Sequence, residues 1–241
     1  MKIAFPREPR VLADIALDID PDEVLRFQGY KKGVDVPTAD VLALFDEALA
    51  IGRRLMAPRA IIRWLGVTRQ TDDRLELGDA SLDIPDIGAQ WGAVEHAAAA
   101  VCTIGDAPER RVAELWDQRE LPLAVMLDSV GSAAVESLAE YVNDVLCGEG
   151  VRAGVKVTNR ISPGYGHWHV HDQTVLFRLC PAESIGVTLN PECVMTPIKS
   201  ISLLAGGGAA ARVDHYFAQC ARCWLRDCAY RRVPARKSVH L

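Results

Sequence analysis

The chain has 241 residues, 49% hydrophobic and 24% charged, a balance that can bury a sizeable core and excludes a mainly disordered or fibrous protein. Its 27 basic and 32 acidic residues leave a net charge of −5, which disfavours a general nucleic-acid binder. No apolar run approaches the roughly 20 residues that span a bilayer, and residues 1–8 have no apolar leader core, so no membrane association and a cytoplasmic location are expected.

In chain order, residues 1–20 read as extended or irregular, and residues 22–28 (DEVLRFQ) as a short helix leaving at Gly29-Tyr30. Thr38 caps a predicted helix to about Met56, with Val41, Leu44, Phe45, Ala48 and Leu49 on one apolar stripe. Strands are predicted at residues 60–65, 74–77 and 97–104, and a helix opens at Pro108. The longest helical pattern runs from Asp128, read as its N-cap, to about Cys147, with Gly148-Glu149-Gly150 closing it. A strand at residues 155–158 leads into RISPGYG at residues 160–166; a short helix at 174–179 stops at Pro181. Strands at residues 187–189 and 199–204 follow, and Gly206-Gly207-Gly208 reads as a linker to a C-terminal tail. Helices mixed with short strands predict an α+β fold, a mixed or antiparallel twisted sheet with flanking helices.

Seven cysteines are unevenly spread, with Cys220, Cys223 and Cys228 forming C-x2-C-x4-C. In a reducing compartment such a cluster reads as metal-binding or redox-active before it reads as disulfides. A CxxC pair reaches one metal easily, either zinc or iron in a cluster, and Cys193, Cys180 or Cys102 are the candidates for a fourth ligand. Three unliganded thiols remain the plain alternative. Arg222, Arg226, Arg231, Arg232, Arg236 and Lys237 make the tail basic, either a solvated face or a dock for an acidic partner.

Residues 160–166 are the most informative stretch. Pro163-Gly164 imposes a tight turn, Arg160 offers a planar fork to a carboxylate, and Tyr165 offers a ring to stack on. That is either a small-molecule site or an ordinary Pro-Gly turn. Glu136 and Glu140, one helical turn apart, are either a working carboxylate pair or a solvated helix face. His167, His169 and His171 alternate, so a strand there would gather three imidazoles on one face for a metal; a polar segment beside a groove is the alternative. No Ser/His/Asp order or nucleophile elbow is visible.

Arg160, Gly164 and Tyr165 spell Arg-x-x-x-Gly-Tyr, preceded by residues 136–141 (ESLAEY) and followed by residues 195–202 (MTPIKSIS). This set resembles the activation (reactivation) domain of cobalamin-dependent methionine synthase, in its stand-alone form, over about residues 90–205. The resemblance implies residues 91–205 as the activation-domain-like core, residues 1–90 as a helical and strand region packed on it, and residues 206–241 as a Cys-rich basic tail. It implies S-adenosylmethionine in a shallow groove, with Arg160 on the methionine carboxylate, and Glu136, Ser162, Gly164 and Tyr165 as further binding residues. It also implies a partner: a cobalamin-binding protein or methyltransferase subunit whose cobalt has fallen to Co(II). A flavodoxin or ferredoxin-type donor supplies one electron, and the methyl of S-adenosylmethionine traps Co(I).

Two departures follow. A ring expected beyond the Met-x-Pro step is absent, with Ala205 near its place, and no corrinoid-binding Asp-x-His-x-x-Gly motif occurs, so the cobalamin is expected on a separate chain. With the resemblance, the tail favours an iron–sulfur cluster over zinc, on Cys220, Cys223, Cys228 and Cys193. The expected function is therefore a reactivation protein for a cobalamin-dependent methyltransferase. The alternatives are an iron–sulfur, corrinoid-reducing subunit without S-adenosylmethionine, and a docking module with a zinc-stapled tail.

Overall fold

Residues 97–102 are shut off from solvent on both faces of their strand, which requires the middle of a sheet covered on both sides. The computed structural model describes residues 5–213. In chain order the elements are β1 (Arg10–Leu12), α1 (Pro21–Phe27), α2 (Ala39–Leu55), β2 (Arg59–Gly66), β3 (Arg69–Gln70), β4 (Arg74–Leu77), β5 (Ala80–Asp83), α3 (Ile87–Trp91), β6 (His96–Thr103), α4 (Ala107–Asp117), α5 (Leu121–Ala153), β7 (Lys156–Val157), α6 (Gln173–Leu179), β8 (Thr188–Leu189), β9 (Met195–Thr196) and β10 (Ser200–Gly208). The main sheet has the order β1-β2-β6-β10-β7, with a three-stranded sheet β3-β4-β5 and a β8-β9 pair beside it. Every strand pairing is antiparallel, so of the two sheet types expected the antiparallel one is realised.

Alternate residues of the main sheet feed two cores. Ala98, Ala100, Cys102, Ile62, Trp64, Leu203 and Ala205 pack beneath α5, α2 and α1. Ala97, Ala99, Val101, Ile61 and Leu204 pack against β4, β5, α3 and α6 on the other face. The small alanines let both layers approach the strand closely.

Thr38 acts as read: its Oγ1 accepts the Val41 N–H at 3.4 Å and starts α2. The cap of α1 was not read; Asp20 supplies it by accepting the Asp22 N–H at 2.9 Å. Two expectations fail. The long helix neither starts at Asp128 nor ends at Gly148: α5 begins at Leu121, with Pro122 in its first turn, and runs to Ala153. Gly148 and Gly150 both lie within the helix. A Cβ on Gly150 would lie 2.4 Å from Val157 Cγ2, so glycine lets β7 lie against the helix. Glu149 between them is buried, taking the Trp64 Nε1–H at 2.7 Å and an ion pair from Arg10, which ties edge strand β1 to α5. The true exit is Gly154, at φ 75°.

The second failure is the glycine linker. Gly206, Gly207 and Gly208 end β10 inside the sheet. A Cβ on Gly206 would stand 2.6 Å from the Trp91 ring, and one on Gly207 2.9 Å from the Trp64 ring, on opposite faces. The triplet is a slot for two buried indoles. α5 is also long and apolar enough, by length and composition, to cross a membrane; here that apolar surface is spent on the core, with Val130, Ala134, Leu138, Val142 and Leu146 fully buried at i, i+4 spacing.

Candidate functional site

After β7 the chain continues along β10. Thr158 N–H donates to Gly206 O at 2.9 Å, and Ile161 and Leu204 exchange backbone bonds at 2.9 and 2.8 Å. Ile161 turns its side chain into the core on the α6 side. Arg160, the residue before it, projects to the other side, toward α5. There the Arg160 guanidinium meets two carboxylates: Nη2 donates to Glu136 Oε2 at 2.8 Å and to Glu140 Oε1 at 2.9 Å. The arginine side chain is 13% exposed, against 27% for Glu136 and 62% for Glu140. Burial disfavours the charged guanidinium, but Glu136 first and Glu140 second outweigh it, so the pKa of Arg160 rises and the cation is held.

Two polar atoms here have no hydrogen-bond partner although they are buried: Arg160 Nε and Ser162 Oγ. Ser162 as a residue is 5% exposed. An unmade hydrogen bond of this kind costs stability, about 1–3 kcal/mol, and a ligand supplying an acceptor repays it. The Arg-x-x-x-Gly-Tyr turn is self-contained. Gly164, at φ 87°, donates its N–H to Trp168 O at 2.9 Å, and Tyr165 N–H donates to Ser162 O at 3.3 Å. These two amides close the turn, and Tyr165 is 56% exposed. Buried Trp168 anchors the loop through Nε1–H to Asp172 Oδ2 at 2.7 Å.

Sequence reasoning missed a second cation. Lys199 Nζ lies 2.8 Å from Asp128 Oδ1 and 2.8 Å from Ser132 Oγ, its side chain 15% exposed. Asp128, Ser132, Glu136 and Glu140 follow one another at i, i+4 spacing, so α5 turns a polar stripe to its seam with β10. That spacing was visible; the pairing of Lys199 with it was not. Cys102 lies under the seam, close enough to feel Arg160 and Glu136, and burial pushes its thiol up to about 12. Ala205 is fully buried in the core beneath α5.

The histidine segment is not a strand. Residues 170–172 form a single 3-10 turn, and the His169 and His171 rings stack with centroids 5.0 Å apart. Cys193, buried at φ 62°, has its Sγ 3.3 Å from His171 Nδ1. Cys180 is a core residue, its Sγ 3.1 Å from Ala99 O and its thiol pushed up to about 12 by burial. Among the described residues no group of three or more His, Cys, Asp and Glu is arranged to hold a metal. Cys220, Cys223 and Cys228 lie outside the described residues.

Fold and seam together define an α+β domain with an amphoteric site, a buried guanidinium fork and an ammonium set among three carboxylates. The fold is that of the methionine synthase reactivation domain: the structure superposes on the crystal structure of the MetH reactivation domain bound to AdoHcy with a TM-score of 0.69, covering 90% of this chain and 83% of that one. Sequence identity between the two is 14%. No family model matches the chain, and no curated protein matches it.

Proposed function

We propose that this chain binds S-adenosylmethionine at the α5–β10 seam and serves as a reactivation protein for a cobalamin-dependent methyltransferase of the methionine synthase type. The observation that carries the reading is the Arg160 fork, charged and buried, with its Nε unpartnered. An α-amino acid headgroup suits it: the carboxylate takes the guanidinium edge and the ammonium takes Glu136. The Tyr165 ring, exposed beside the turn, is the surface for a planar base. The AdoHcy in the structurally similar MetH domain supports the same class of ligand.

In this role the chain provides no nucleophile. It holds the sulfonium so that the methyl leaves sulfur as a cation equivalent, the S–C electron pair staying on S-adenosylhomocysteine, toward a Co(I) nucleophile on a cobalamin-binding partner after one-electron reduction by a flavodoxin or ferredoxin-type donor. Positioning supplies much of such a rate. Calorimetric titration with S-adenosylmethionine tests the reading: one site per chain supports it, and no binding overturns it. Ser162→Ala gives a second check with opposite signs. Removing an unpaired buried hydroxyl is expected to leave the fold as stable or up to about 1 kcal/mol more stable, while S-adenosylmethionine binding weakens.

The tail belongs to the same proposal, with Cys220, Cys223 and Cys228 binding an iron–sulfur cluster, zinc being the alternative, and Cys193 the fourth ligand from the body. Cys102 and Cys180 are poor candidates, since burial holds both as thiols and a metal takes the thiolate. Metal analysis of anaerobically purified protein is expected to find iron that Cys220→Ser and Cys223→Ser both remove; zinc in its place would transfer the tail to a structural role.

A further inference from the structure

Arg160 already carries two carboxylates, and both sit on the same nitrogen. Nη2 has two protons, one donated to Glu136 and one to Glu140, while Nε has no partner. The edge of a guanidinium that grips a carboxylate with two parallel bonds is formed by Nε and the adjacent Nη2. Half of that edge is therefore vacant and half is occupied by an internal acid. A ligand carboxylate that takes both bonds must displace one glutamate.

The two glutamates are not equivalent. Glu136 is 27% exposed and Glu140 62%. Glu140 returns to water at little cost, whereas moving Glu136 costs buried contacts; exposed ion pairs are worth about 0.2–1 kcal/mol. Ser162, two residues beyond Arg160, is also buried with its hydroxyl unpartnered. We propose that Glu140 is the resident counter-ion of Arg160: it neutralises the fork when the site is empty and is displaced by the carboxylate of the incoming ligand, Glu136 staying in place. Glu140 is then a competitor of the ligand and a positioning residue for the empty site. This rests on S-adenosylmethionine, or a ligand with its amino acid headgroup, being what the seam binds.

The sign of one substitution separates this role from the others open to Glu140. If Glu140 accepted the ligand ammonium, or only added to the negative field drawing a cationic ligand, Glu140→Gln would weaken binding. If Glu140 must be displaced, Glu140→Gln removes the stronger competitor and tightens it. Titration of the full chain with S-adenosylmethionine is expected to show Glu140→Gln binding about threefold to fivefold more tightly than wild type, and Glu136→Gln at least tenfold more weakly, with both variants melting as cooperatively as wild type. Unchanged or weaker binding by Glu140→Gln, with wild-type binding intact, overturns the displacement and leaves the ligand assignment standing. Absence of binding by the wild type overturns the ligand assignment itself.

Discussion

Arg160→Ala is expected to weaken S-adenosylmethionine binding by tenfold or more, at least about 1.4 kcal/mol. The loss has two parts. The carboxylate forfeits charge-assisted hydrogen bonds worth about 1.5–3 kcal/mol, and Glu136 and Glu140 are left as an uncompensated acidic pair facing the same carboxylate. Arg160→Lys isolates the first part. It keeps the charge, but an ammonium has no planar fork, so most of the loss is expected to persist. Near-wild-type affinity in Arg160→Lys would mean that charge alone is read at this position, and near-wild-type affinity in Arg160→Ala would remove Arg160 from the site. Calorimetry measures the binding; denaturant unfolding of the same variants measures any damage to the fold.

The largest expected effect on stability lies at the other end of the seam's strand. Gly206→Val is expected to cost about 3 kcal/mol, the upper end for overpacking a core, because its Cβ alone would stand 2.6 Å from Trp91 Cε3 and 2.9 Å from Val94 Cγ1. Trp91 is 2% exposed, so it cannot swing into solvent without leaving the core. Gly66→Ala, where a Cβ would meet nothing within 4 Å, is the control expected to change little. Equal effects of the two substitutions in urea unfolding would mean that the glycine triplet is not there for close packing.

These two positions mark what a one-dimensional reading can reach. Thr38 begins α2 through a contact three residues away, so that start was legible. Gly148-Gly150 and Gly206-Gly208 carry the same local punctuation as a helix stop and a linker, yet both lie inside regular elements. Their partners, Val157 for Gly150 and Trp91 and Trp64 for Gly206 and Gly207, are distant in sequence or brought in by the sheet. The site divides in the same way. Arg160, Glu136, Ser162, Gly164 and Tyr165 were nominated from a short motif and its resemblance to a family, and the fold brings Arg160 onto Glu136. Lys199 was passed over because its partners Asp128 and Ser132 lie on a helix about 70 residues earlier in the chain. The three alternating histidines left a strand face and a polar segment both open; the segment is a loop with one 3-10 turn, and Trp168 between His167 and His169 is buried.

The unpartnered Nε–H of Arg160 is expected to receive a ligand carboxylate, and that proton can be watched directly. In a 1H–15N spectrum of arginine Nε–H groups, Arg160→Lys identifies the resonance by its loss. Adding S-adenosylmethionine to wild-type protein is expected to move that peak downfield and slow its exchange with water, as a charge-assisted hydrogen bond forms. A peak that keeps its position and exchange rate while calorimetry shows the site saturated would place the ligand elsewhere and contradict the assignment.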